Sequence, residues 1–132
     1  MFSDADFVYS YSRAQAIDDN VLADVSETAR EAGFRIPVAL TAAVWAECVA
    51  WSEADTKRMG VPQDEAGRLW DVLWMASCAA RRHRHASADR VAFEVLRVPR
   101  GRRRATRCAL VLHIGPGDGG EPVITIMLPN ED

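Results

Sequence analysis

The apolar residues of this chain change period once, and that change restricts the fold more than any other feature. From Thr41 to about residue 84 they recur at helical spacing; from residue 91 they come in β-rich runs, VAFEVLRV (91–98), CALVLHI (108–114) and PVITIML (122–128), separated by turn residues. Three such runs in succession make an antiparallel meander by the shortest connections. PVITIML is apolar on both faces, which suits an interior strand covered by a helix. Pro122 can stand at its first position without costing a ladder bond. The expected architecture is therefore α+β: a helical layer packed on a mainly antiparallel sheet of three to four strands, ending in a C-terminal β-meander. The fourth strand is expected at FVYSY (7–11).

In the first two thirds, Ser12 is placed to cap a helical turn, RAQAIDDN, that stops at Asn20, a residue tolerant of the left-handed conformation. Ser26 begins a second turn that Gly33 ends, and Pro37 makes FRIPVAL (34–40) extended. Thr41 caps a predicted helix, AAVWAECVAWSEA, with Val44, Trp45, Cys48, Val49 and Trp51 in one stripe. DTKRMGVPQ (55–63) reads as a loop around Gly60 and Pro62. A long helix follows from Asp64, with Leu69, Trp70, Leu73, Trp74 and Ser77 on one side. Tryptophans at helical spacing with leucines between them read as core packing, with one of the four left to line a groove.

The 132 residues suffice for a single domain, 1–132, with one core and no disulfide staple. The three cysteines, an odd number without a C-x-x-C pair, read as reduced and mostly buried thiols of a cytoplasmic protein. The acidic N-terminus is unlike a secretory signal, and the most apolar stretch, 36–51, is shorter than the roughly 20 residues a membrane span needs. No membrane association is expected. Charge is polarised: residues 1–80 carry −7, residues 81–107 carry +8 with 10 arginines, and residues 108–132 carry −4. Such a segment either binds an anion or is neutralised by the acidic part of its own fold.

Few residue patterns suggest chemistry. His83 and His85 stand among arginines that would repel a metal ion, so no metal is expected. GPGDGG (115–120) precedes a strand rather than a helix, which makes it a hairpin turn and not a phosphate cradle. No activated nucleophile is recognisable, no catalytic residue is assigned, and no cofactor is expected. Two candidate binding groups remain. Tyr9, Tyr11 and Arg13 with Asp18 and Asp19 could line a pocket; Arg100, Arg102, Arg103 and Arg104 crowd VPRGRRRATRC, the connection between two strands, whose inward residues are Val95, Leu110 and Leu112.

YSYSRAQAIDDNVLADVSETAREAGFRIPVALTAAVW, GRLWDVLWMA (67–76), LRVPR (96–100) and GPGDGGEPVITIMLPNED (115–132) together resemble an uncharacterised family of small bacterial, phage and plasmid proteins. The resemblance implies no activity and no site residue. Its mobile-element associations imply a cytosolic binding or modulator protein acting on a protein partner, of the anti-CRISPR kind or another host-protein inhibitor. An acidic run, Asp18, Asp19, Asp24, Glu27 and Glu31, suits such docking. One alternative is nucleic-acid binding through residues 81–107. Another is a transferase using NAD or a nucleotide in a pocket at Tyr9–Arg13.

Overall fold

The computed structural model describes residues 11–83 and 89–131. Its last third is the expected meander: β3 (Arg90–Arg97), β4 (Thr106–Pro116) and β5 (Pro122–Met127) pair antiparallel in turn. Two further strands come from the helical part, β1 (Leu22–Asp24) and β2 (Val38–Thr41). β2 lies parallel to β5, and β1 antiparallel to β2, so the sheet order is β1-β2-β5-β4-β3. The sheet thus has five strands, one more than the sequence suggested, because both short apolar runs around Ala23 and Leu40 join it. The strand expected at FVYSY lies outside the described residues, apart from Tyr11, which is in no strand. Pro37 has no N–H to give; its carbonyl accepts from Ile124 at 2.8 Å, and the β2 ladder begins one residue later.

The early helices follow their caps. Helix α1 (Arg13–Asp18) opens with a reciprocal capping box between Ser12 and Gln15, and Asn20 leaves it at φ 60°. Helix α2 is Ser26–Glu31. Thr41 caps α3 (Ala42–Val44), which widens into a π-helical turn, Trp45–Val49, and stops at Ala50. The single helix expected over 42–54 is therefore broken. Helix α4 (Glu53–Met59) fills most of the stretch read as a loop, since Ser52 and Asp55 form a second capping box and Gly60, at φ 68°, closes the other end. Helix α5 (Glu65–Arg82) is the long helix foreseen, capped by Asp64.

The core lies between one face of the sheet and the helices. Leu40, Phe93, Val95, Leu110, Leu112, Ile124 and Ile126 meet Val44, Cys48 and Val49 and, from α5, Val72, Leu73 and Ala76. Trp51 is buried and Trp45 half-buried, but Trp70 and Trp74 are exposed at 36% and 41%, contrary to the core reading. Val72, Leu73, Ala76 and Ala79 are wholly buried, so the inward face of α5 is centred on them and the indoles stand at its outer border.

Candidate functional site

The candidate groups fall in separate places. A cleft of about 410 Å³ opens on the sheet face away from the core, between α1 and β5, and Tyr11, Arg13, Thr41, His113, Thr125 and Glu131 are among its lining. Arg13 donates from one terminal nitrogen to Thr125 Oγ1 at 2.7 Å and from the other to the Ile124 carbonyl at 2.6 Å. Partial burial lowers the pKa of this guanidinium, while Asp24, Asp118 and Glu121 oppose that effect. The backbone N–H groups of Arg13 and Ala14 donate to the Asp118 carboxylate at 2.7 and 3.1 Å. Asp118 belongs to GPGDGG, which is the hairpin turn between β4 and β5; a Cβ on Gly117 would run into Glu121 and Val123.

Tyr11 donates its hydroxyl to Asp19 at 2.5 Å, and this bond raises the phenol pKa. Asp18 is exposed and stands off the cleft lining. Tyr9 lies outside the described residues. The cleft therefore brings together Tyr11 and Arg13, with Asp19 behind Tyr11. Its main polar contacts are spent on pinning α1 to the sheet.

The arginine-rich stretch is a hairpin tip, as expected. Gly101 takes φ 80° and Arg102 N–H donates to the Pro99 carbonyl at 3.0 Å. Arg100 Nε donates to Asp55 at 3.0 Å, and next to the tip Arg97 pairs with Glu47 at 3.2 Å. Part of the basic segment is thus neutralised by the helical half. Arg102, Arg103 and Arg104 are exposed, and among the described residues no side-chain partner reaches them. β4 runs the 11 residues between the tip and the Asp118 turn, roughly 35 Å, so tip and cleft do not form one site.

A third place answers to the one tryptophan that the sequence left to line a groove. Trp70 and Trp74 stack on the outer face of α5 with centroids 5.9 Å apart, and Arg81 lies 5.3 Å over Trp74. Met75 beside them and Leu96 on β3 are also exposed. Between α5 and β3 runs a groove of about 550 Å³ whose apolar residues include Trp74, Met75 and Leu96, with Asp71, Glu94 and Arg107 as charged members. Partial burial raises the Asp71 carboxyl. α5 is apolar around much of its circumference, and spacing alone does not say which part of it meets the core.

The model of the family of unknown function DUF6573 matches residues 1–132. The chain belongs to DUF6573. No curated protein and no solved structure matches it. In this DUF6573 chain, no three histidine, cysteine or acidic side chains among the described residues are grouped as metal ligands. No described helix is long and apolar enough to cross a membrane. Its chemical resources are an apolar, aromatic ridge, a solvated cationic tip and a polar cleft.

Proposed function

We propose that this DUF6573 protein is a protein-binding module: a cytosolic modulator of mobile-element type that docks on a host protein, as an anti-CRISPR protein or another host-protein inhibitor does. The observation that carries the reading is the stacked pair Trp70 and Trp74, held in solvent beside Met75 on the longest helix. Large aromatics left in water cost solvation that a partner recovers, and Trp and Arg dominate the energetic centres of interfaces. Arg81 over Trp74 adds the second of these residue types. The test is affinity capture from host lysate with the native chain and with Trp70→Ala/Trp74→Ala. A partner held by the native chain and released by the variant, with circular dichroism unchanged, supports the reading. Identical captures by both sink it.

A second reading rests on Arg102, Arg103 and Arg104, which project from the tip. Guanidiniums so placed can contact nucleic-acid phosphates. Fluorescence anisotropy with DNA and RNA at two salt concentrations decides: binding that weakens steeply with salt and vanishes in the triple serine variant supports it, and no binding at low salt ends it. The polar cleft at Tyr11 and Arg13 is the place to look for a nucleotide, and the absence of a thermal shift with NAD and nucleotides would discard the transferase reading.

A further inference from the structure

β3 is an edge strand, and the way it pairs decides which of its backbone groups are outward. Ile114 donates its N–H to the Asp89 carbonyl at 2.8 Å, and the register runs from Arg90 opposite His113 to Arg97 opposite Thr106. In an antiparallel ladder this phase directs both backbone groups of Val91, Phe93 and Val95 toward β4. Arg90, Ala92, Glu94 and Leu96 then direct theirs away from it. Among the described residues no backbone group bonds to these four on that side. The strand has neither the proline nor the bulge that commonly blunts an edge, and grooves border it along Ala92, Glu94 and Leu96.

We propose that a second copy of this chain occupies the edge, β3 pairing antiparallel with β3 about a two-fold axis at Ala92. A two-fold axis allows few registers, and charge separates them. With Glu94 on the axis, two carboxylates would stand opposite each other. With Phe93 there, Glu94 would face Ala92 and Arg90 would face Leu96. With Ala92 there, two methyl groups meet at the axis and Arg90 of each copy faces Glu94 of the other, twice. All these side chains lie on the sheet face away from the core, where an ion pair adds little energy but selects the register. Backbone hydrogen bonds across the axis and the apolar border of Trp74, Met75 and Leu96 supply the attraction. The inference goes beyond the host-protein reading and shares Trp74 and Met75 with it, but Ala92→Pro and the charge pair change neither indole, so each reading can fail without the other.

Sedimentation equilibrium of the full chain tests it, with thermal unfolding of each variant recorded alongside. The native chain sediments at twice the chain mass. Ala92→Pro removes the donor at the axis, leaves the β4 ladder intact and sediments as a monomer. Arg90→Glu weakens the dimer about tenfold or more, and adding Glu94→Arg restores it. A native chain that stays monomeric at roughly 1 mM overturns the proposal. So does a dimer indifferent to Ala92→Pro, and a charge swap that restores nothing overturns the register. If the proline variant unfolds, the charge pair still decides.

Discussion

Arg68 is the buried cation at which the π-helical turn, α5 and the chain leaving β3 meet. It is 3% exposed; its Nε donates to the Val49 carbonyl at 3.0 Å and a terminal nitrogen to the Val98 carbonyl at 2.8 Å. The guanidinium also lies 4.9 Å over Trp51. One residue thus ties the π-helical turn, α5 and the exit of β3. Arg68→Ala leaves two carbonyls without a donor and a void beside an indole, so urea unfolding should show a loss of about 3 kcal/mol. Cys48 is the other residue with a pronounced environment. Burial, with Cys108 adding, pushes its thiol up to about 12 from an ordinary 9.0. In the unfolded chain this thiol ionises first, so its contribution to stability is complete below about pH 9 and is lost as pH rises toward 12. Comparing urea unfolding of the native chain and Cys48→Val at pH 8 and pH 10 checks this: the native chain loses more stability between the two.

Among the elements, α4 and α1 show how short helices persist. A helix of seven residues is marginal alone, and α4 is fixed by the Ser52 and Asp55 box, by the Trp51 indole donating to Thr56 at 2.9 Å, and by Arg100 on Asp55. Ser52→Ala should cost about 1 kcal/mol in chemical denaturation. The Ser52 backbone and side-chain bonds and the Arg100 guanidinium hold the Asp55 carboxyl below its ordinary 3.8. That contribution is present at neutral pH and is lost as pH falls through the depressed value. α1, six residues long, leans in the same way on Ser12, on Asp118 and on Arg13 anchored to β5.

For the molecule as a whole, opposite charges separated along the sequence come together at Arg97 with Glu47 and Arg100 with Asp55. What is left at the tip is solvent-exposed and carries no packing. Arg102→Ser/Arg103→Ser/Arg104→Ser should keep stability within about 0.5 kcal/mol of the native chain in thermal unfolding. A larger loss would mean that the tip packs against the fold.

The change of apolar period, the caps at Ser12, Thr41 and Asp64, and the turn at GPGDGG are local properties, and they were enough to read the α+β class, the meander and most helix starts. The candidate arginines at the tip and the pair Tyr11 and Arg13 were legible for the same reason. The break after Val49 was not, because Trp51 is buried only once Thr56 and Glu65 hold it; helix α4 was missed although its Ser52–Asp55 box and Gly60 cap are local signals, since Gly60 and Pro62 read as breakers. Nor was the parallel pairing of β2 with β5, which joins segments some 85 residues apart and satisfies no local rule. The outward turn of Trp70 and Trp74 was decided in three dimensions too: α5 is apolar around much of its circumference, and its packing against the core buries Val72, Leu73, Ala76 and Ala79, which leaves the indoles at the outer border of that face.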